Sequence, residues 1–230
     1  QGYIIRPVAN IKALEWIRTK IVYFSEQEIG VQTTSDAESH LNQIHEYIPV
    51  NQINNYRLKI INSINAEPEF RYHYFSLARP FLETLVGNEL SMQLRINLSI
   101  QFPKDASSLL PVHADTWSGD SPFEVVVWVP FVDCYGTKTM YLLPPEKNKS
   151  LDENFLVRAG DNSEDLYQSI KQQVKWLDVK YGEVLIFNQA LPHGNRQNNE
   201  SETRWSTNCR FKGIFTPYGD KKLGEFFEPI

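Results

Sequence analysis

The sequence predicts a mainly β protein of the α+β type: a jelly roll, or cupin-like double-stranded β-helix, with N-terminal helices packed outside it. Apolar residues follow a helical period up to about residue 88, and then alternate in short segments separated by turn residues. A chain of 230 residues suits one such domain. We expect a single domain over 1–230, with a mainly helical lead-in at 1–88, a jelly-roll core at 89–217 and a C-terminal tail at 218–230.

Four helices are predicted in the lead-in, because apolar residues recur three and four positions apart. The first carries Ile11, Leu14, Ile17 and Ile21, the second begins at Ser35 as its cap, the third runs from Ile53 to Ile64, and the fourth, near Phe75–Leu85, is interrupted by Pro80.

The clearest predicted strand is 93–102, where polar and apolar residues alternate throughout. Antiparallel sheets often expose one face, which favours solvent for the polar face of this strand. A small barrel with a ligand cavity would instead turn that face inward. Further strands are predicted at 123–129, 139–143, 174–178, 183–188 and 204–215, with a short helix at 164–174.

Composition narrows the classes of partner. The formal net charge is -5 and the Lys and Arg residues are scattered, so a nucleic-acid footprint is not expected. The longest apolar run, 125–132, is too short to span a bilayer, and the first residues lack the pattern of a secretory signal. Two cysteines far apart in sequence favour free thiols in a reducing compartment, and we expect a cytoplasmic protein that acts on a small molecule.

A candidate metal site lies in the second half of the chain. In His113-Ala114-Asp115 the outer two residues share one side of an extended segment, so an imidazole and a carboxylate can reach one point. His193 could supply a third ligand. Two histidines and one carboxylate with open positions suit non-haem Fe(II) oxygenases. With five histidines in the chain, a His-X-Asp pair by itself is weak evidence.

A third motif strengthens this interpretation. Arg204 follows His193 by eleven residues, and Ser206 shares its strand face with Arg204. A guanidinium fork with a neighbouring hydroxyl binds carboxylates well. A dicarboxylate could therefore chelate a metal at one end and pair with Arg204 at the other.

These motifs resemble those of the 2-oxoglutarate/Fe(II) oxygenase superfamily, which combines His-X-Asp, a distal His and Arg-X-Ser about eleven residues later. Segments 123–133 and 139–144 are similar to the strands after His-X-Asp in the phytanoyl-CoA dioxygenase-like branch. The stretch from Trp205 to Phe227 resembles a bacterial subgroup, the "sporadic carbohydrate cluster" oxygenases, found among genes for sugar and surface-polysaccharide assembly.

The resemblance implies a dioxygenase that uses Fe(II), 2-oxoglutarate and O2 to hydroxylate or otherwise oxidise a small molecule, with a sugar or sugar nucleotide as the expected substrate. Halogenating relatives lack the carboxylate that Asp115 supplies here. The implied residues fall into three groups: His113, Asp115 and His193 for the metal and catalysis; Arg204, Ser206, Asn97 and Gln101 for 2-oxoglutarate; and Arg95, Trp117, Asn208 and Arg210 for substrate. The aromatic tail, with Phe226 and Phe227, offers a surface for a homodimer.

Two alternatives stay open on the sequence. A cupin-like sugar isomerase or epimerase would use a divalent metal without 2-oxoglutarate, and would leave the Arg204 motif unexplained. A carbohydrate-binding jelly roll without catalysis would fit the aromatic content, and would show neither a tight Fe(II) site nor any effect of 2-oxoglutarate on melting.

Overall fold

The computed structural model describes residues 1–32, 36–153 and 162–230. It has a layer of helices, a large antiparallel sheet and a small antiparallel sheet. The helices are α1 (Ile11–Ile29), α2 (Ala37–Gln43), α3 (Ile53–Ala66), α4 (Phe70–Ser76), α5 (Arg79–Val86), α6 (Pro145–Glu153) and α7 (Ser163–Ile170). The strands are β1 (Tyr3–Pro7), β2 (Leu90–Gln93), β3 (Asn97–Gln101), β4 (Val125–Pro130), β5 (Met140–Leu142), β6 (Lys175–Leu177), β7 (Glu183–Asn188), β8 (His193–Gly194), β9 (Arg204–Gly213) and β10 (Phe227–Pro229).

The large sheet has the strand order β1-β7-β4-β9-β2-β10, and β3 also pairs with β9. The small sheet has the order β6-β5-β8. The predicted fold class is confirmed: helices cover an antiparallel core in which a cavity lies between the sheets.

The helical predictions are confirmed with two changes. Ser35, the predicted cap of the second helix, lies outside the described residues, and the Asp36 carboxylate accepts hydrogen bonds from the first backbone N–H groups of α2. The fourth predicted helix is two helices, α4 and α5. Pro80 lies in the first turn of α5, where its missing N–H costs no helical hydrogen bond.

The predicted strand 93–102 is also divided, because helix α3 interrupts it. The Asn65 side chain accepts a hydrogen bond from the Ile96 N–H at 2.8 Å and donates one to the Ile96 carbonyl at 2.9 Å. These bonds replace the ladder bonds that a continuous strand would make. Both parts still pair with β9.

The preference for solvent on the polar face of this strand was wrong. Gln93 and Gln101 are buried, and Ser99 lines the cavity between the sheets. Only Arg95 on this face is exposed, since it lies in the break between β2 and β3, and its guanidinium donates to the Asn62 side chain at 2.6 Å.

Strand β9 separates the two sides of the large sheet by simple alternation. Its odd-numbered residues face the helices: the Trp205 indole donates to the Leu41 carbonyl at 2.8 Å, and Phe211 stacks on Phe75. Its even-numbered residues Arg204, Asn208 and Arg210 line the cavity. Strand β9 thus packs against the helical layer with one face and supplies cavity-lining residues from the other.

Several elements were not predicted, namely β1, β8, β10 and α6. β10 brings the tail back onto β2, so Phe227 is fully buried within its own chain and not exposed for a partner subunit. Both cysteines are free, as expected, and both are buried. Among the described residues, no helix is long and apolar enough to cross a bilayer.

Candidate metal and co-substrate site

A cavity opens between the two sheets and brings the sequence motifs together. The large sheet contributes residues of β3, β4, β7 and β9, and the small sheet contributes residues of β5 and β8. The lining residues are Ser99, Leu110, His113, Asp115, Val126, Trp128, Met140, Phe187, His193, Gly194, Asn195, Arg204, Asn208 and Arg210.

The backbone fixes the relation between the two histidines. His113 and His193 form an isolated antiparallel bridge, with N–H to carbonyl distances of 3.0 Å and 2.8 Å. Their rings lie 4.3 Å apart between centroids. The predicted pairing of residues 80 positions apart (193 − 113 = 80) is therefore made by main-chain hydrogen bonds.

The same local geometry sets both imidazole tautomers. Nδ1 of His113 lies 2.8 Å from the Pro111 carbonyl, and Nδ1 of His193 lies 2.8 Å from the Leu191 carbonyl. A carbonyl oxygen only accepts, so each Nδ1 carries the proton and each Nε2 keeps its lone pair. A bond from the far ring nitrogen to a backbone carbonyl is typical of metal-binding histidines.

Asp115 completes the group. Its backbone N–H donates to the Gln189 carbonyl at 3.0 Å, and its Oδ1 lies 3.4 Å from Nε2 of His113. One ligand atom from each of His113, Asp115 and His193 lies within 4.8 Å of the other two. Among the described residues, these three form the one group of His, Cys, Asp or Glu side chains close enough together to hold a metal ion.

Burial changes the protonation of His193, the second of the two histidines. Burial, followed by the neighbouring His113, lowers the pKa of His193 to about 4, against the opposing effect of Asp115. The imidazole is therefore neutral near pH 7, which is the form that binds a metal.

The second oxygen of Asp115 is held by Arg210. Nη2 and Nε of Arg210 lie 2.7 Å and 3.1 Å from Oδ2, and the Gln189 side-chain oxygen accepts a further bond from Nε. Burial by itself would raise the pKa of Asp115, but the close contact with His113 and the charge of Arg210 outweigh it and hold that pKa below its usual range.

Arg204 is a buried cation with unused capacity. Nη2 donates to the Ser99 hydroxyl at 2.8 Å and Nη1 to the Thr139 carbonyl at 3.2 Å. Nε and the neighbouring Ser206 hydroxyl have no hydrogen-bond partner within the described ranges. Burial lowers the pKa of Arg204 to about 10, which leaves it charged at neutral pH. A buried cation that meets no carboxylate in the described structure, with a donor still free, fits a carboxylate ligand.

The remaining predicted residues differ in whether they line the cavity. Asn208 lines the cavity, and its Oδ1 accepts from the Asn97 amide at 3.0 Å. Gln101 is fully buried and donates to the Arg196 carbonyl, so it reaches the loop after His193 and does not line the cavity. Trp117 is 37% exposed and lies outside the cavity lining.

The other two residues predicted for substrate, Arg95 and Arg210, differ in their position. Arg95 is exposed, bonds to the helical layer and lies outside the cavity, because the break after β2 turns it away. Arg210 does line the cavity, but its guanidinium is engaged by Asp115 and Gln189. Its direct contact is the carboxylate of the candidate metal site.

Sequence reasoning missed three residues that shape the site: Ser99, Gln189 and Asn195. Ser99 was visible on the polar face of the alternating strand, and could have been assigned with its neighbours Asn97 and Gln101. Gln189 and Asn195 flank the His193 segment without a periodic signal. Asn195 accepts a hydrogen bond from the Leu110 N–H at 2.6 Å and so holds the segment that carries His113.

Fold and site together define a jelly roll with a two-histidine, one-carboxylate group that could hold a metal beside a buried arginine. No family model matches the chain, and no curated protein matches it. Solved structures do match. HygX from Streptomyces hygroscopicus, with nickel and 2-oxoglutarate bound, has a TM-score of 0.56 and 16% identity, over 96% of this chain and 86% of that one.

Two further matches agree with the first. The apo form of ThoJ, a non-heme monooxygenase, has a TM-score of 0.55 and 14% identity, over 98% of this chain and 79% of that one. SnoK, a non-heme alpha ketoglutarate dependent carbocyclase from nogalamycin biosynthesis, has a TM-score of 0.51 and 17% identity, over 100% of this chain and 92% of that one. The chain therefore shares its fold with HygX, ThoJ and SnoK.

Gly194 offers a test of the histidine bridge. A Cβ at Gly194 would lie 2.7 Å from the Leu110 carbonyl oxygen and 2.8 Å from the Tyr141 hydroxyl. Gly194→Ala should therefore push the His113 segment away from β8. We expect the Kd for Mn(II), measured by titration, to rise about tenfold or more, the scale typical of disturbing groups that orient metal ligands.

Gly30→Ala provides the control. Gly30 ends α1 with φ 69°, and a Cβ there meets nothing within 4 Å. This variant should lose roughly 1 kcal/mol of stability through its left-handed backbone and keep wild-type Mn(II) affinity. Equal metal affinity in both variants would contradict the role given to the bridge.

Proposed function

We propose that this chain is a non-haem dioxygenase that uses Fe(II), 2-oxoglutarate and O2 to hydroxylate a small molecule. One observation carries the proposal: His113, Asp115 and His193 converge in the same cavity that contains Arg204, a buried cation whose Nε has no partner among the described residues. A metal group alone would fit many enzymes, whereas the arginine adds a receptor for a carboxylate.

The donor set fits iron. Two neutral imidazoles and one carboxylate are the ligands of the facial triad in non-haem Fe(II) oxygenases. Each imidazole is already oriented through its Nδ1–H, so little ordering is left for the metal to impose. Because Arg210 occupies Oδ2 of Asp115, that carboxylate presents Oδ1 to the cavity.

Arg204 fits the far carboxylate of 2-oxoglutarate, and the predicted partner Ser206 lies two residues along the same strand face, fully buried and outside the cavity lining. Burying a charge without a counter-charge is costly unless a ligand supplies the partner. The described residues place no carboxylate against Arg204, while Ser99 and the Thr139 carbonyl hold its guanidinium in one orientation. Arg204 would thus bind the co-substrate directly. Asn97 and Gln101 would act indirectly, because Asn97 donates to the Asn208 side chain and Gln101 donates to the Arg196 carbonyl.

Iron bound here would supply O2 activation coupled to decarboxylation of 2-oxoglutarate to succinate and CO2. The residues of this chain have simpler tasks. His113, Asp115 and His193 hold the ion, Arg210 fixes one oxygen of Asp115, and Arg204 orients the co-substrate.

The substrate we propose is a sugar or a sugar nucleotide. The support is the resemblance of the tail to a carbohydrate-cluster subgroup, together with a HygX structure that contains hygromycin B. That match has a TM-score of 0.53 and 16% identity. Asn208 is the substrate contact best placed, since it lines the cavity, and Trp117 is the aromatic residue we would test for stacking against a sugar ring.

The first test needs no substrate. Melting of the purified protein is measured with Co(II), with 2-oxoglutarate and with both. We expect 2-oxoglutarate to raise the melting temperature only when the metal is present, because ligands stabilise the state that binds them. A metal effect without a 2-oxoglutarate effect would instead favour the isomerase, and no effect of either would favour the carbohydrate-binding protein.

The second test measures turnover. The protein is supplied with Fe(II), O2 and 2-oxoglutarate across a panel of sugars and sugar nucleotides, and succinate is quantified with product masses. We expect one compound to raise succinate formation and to gain one oxygen atom. A product of changed configuration without an added oxygen would overturn the hydroxylation and retain the oxygenase class.

A further inference from the structure

The C-terminal tail is packed against the loop that follows Asp115. The Ser121 hydroxyl donates to the Pro217 carbonyl at 2.6 Å, and the Asp220 N–H donates to the Gly119 carbonyl at 2.9 Å. A Cβ at Gly219 would collide with the Gly119 carbonyl oxygen, so the close approach requires glycine. The tail therefore touches the segment that carries a candidate metal ligand.

A buried carboxylate lies between this tail and the site. The Asp120 side chain is 1% exposed, and its Oδ2 is 2.7 Å from Nζ of Lys221. The same oxygen is 3.5 Å from Nε of Arg210, and Oδ1 has no hydrogen-bond partner among the described residues. Asp120 thus depends on two cations, one from the tail and one from β9.

Arg210 consequently has two carboxylates within reach. It bonds Asp115 at 2.7 Å and 3.1 Å and stands further from Asp120, at 3.5 Å. Nζ of Lys221 is closer to Asp120 Oδ2, at 2.7 Å, than the Arg210 guanidinium is. With Asp120 compensated by the lysine, the guanidinium is left to hold Asp115.

We propose that Lys221 is a positioning residue for the metal site: by occupying Asp120 it keeps Arg210 on Asp115 and so holds Oδ1 of that carboxylate toward the metal. The inference rests on the proposed function for the presence of the metal. It assigns to the tail a task in the site, beyond covering the sheet with β10.

Loss of the Lys221 charge would change the balance between the two carboxylates near Arg210. Asp120 would remain buried with Arg210 as its nearest cation, and the attraction between them would draw the guanidinium away from Asp115. Asp115 would lose hydrogen bonds that orient it, and the metal would meet a less ordered ligand.

The experiment compares Lys221→Met with Lys222→Met. Lys222 is the next residue in the tail and is exposed, and its Nζ donates to the Gly219 carbonyl. Each variant removes one positive charge from the same segment, so the pair cancels the general effect of charge on cation binding. The Kd for Mn(II) is measured by titration of the full chain, and the visible absorption of the Co(II) form reports on the ligand field.

We expect Lys221→Met to bind Mn(II) about threefold to tenfold more weakly than Lys222→Met, the range found for residues that act through a network. Its Co(II) spectrum should differ from wild type, while Lys222→Met should match it. Lys221→Arg keeps the charge and should restore both properties. Melting curves of each variant report whether the tail remains folded.

Two results would overturn the inference. Equal Mn(II) affinity and equal Co(II) spectra in the two methionine variants would show that Lys221 does not act on the site. Failure of Lys221→Arg to restore the affinity, with normal melting, would show the same. Absence of Mn(II) binding in the wild-type protein would instead remove the proposed function together with the inference.

Discussion

Asp115→Ala is expected to abolish succinate formation and to raise the Kd for divalent metals by more than about 100-fold, since removing a group that merely hydrogen-bonds a metal ligand already costs about 10–100-fold. Asp115 is the one anion among the three candidate ligands. Its loss would leave two imidazoles as the remaining ligands beside the guanidinium of Arg210, a cation that repels the metal. Anaerobic Fe(II) titration and a succinate assay measure the two effects.

Asp178→Ala is the matched control. Asp178 is an exposed carboxylate that accepts from the Gly136 N–H at 3.1 Å, on the small-sheet side and outside the cavity lining. This variant should keep wild-type metal affinity and turnover. Full succinate formation in Asp115→Ala would break the assignment of the metal ligands.

Arg204→Met is expected to remove most 2-oxoglutarate binding while metal binding persists. Truncating one member of a buried charged pair costs about 2–5 kcal/mol, so the Kd for 2-oxoglutarate in the Co(II) form should rise at least about 30-fold. The distinctive part concerns stability. The free variant should melt at the same or a higher temperature, because a buried cation without a carboxylate partner in the described structure has been removed.

Arg204→Lys separates charge from geometry. Lysine keeps the positive charge but lacks the planar fork, so we expect intermediate 2-oxoglutarate affinity. A methionine variant that melts far below wild type, with unchanged co-substrate affinity, would make Arg204 a structural residue and would count against the proposed function.

Those parts of the site that depend on local geometry could be predicted from the sequence. In an extended segment, residues two apart share a side, and this put Arg204, Ser206, Asn208 and Arg210 on one face before any strand partner was known. The pairing of His113 with His193 needed the resemblance, because it joins residues that are distant in the chain. The helical layer and most core strands could be predicted from hydrophobic period alone.

Other features followed from tertiary contacts and could not be predicted. Arg95 shares the period of Ser99 in the sequence, yet Asn65 of α3 interrupts the strand and leaves Arg95 outside the cavity. Phe227 was expected on the surface because a terminal aromatic residue carries no local signal of burial. It is buried because β2 offers an unpaired edge to β10.

The sequence by itself determined the chemical groups of the candidate site and the strand faces that present them, because alternation is a property of neighbouring residues. The tertiary structure decided which of these groups meet. Arg210 binds Asp115 across 95 residues, and Lys221 binds Asp120 across 101. The strength of an ion pair depends on the distance between the charges and on their burial, and both are set only when the chain has folded.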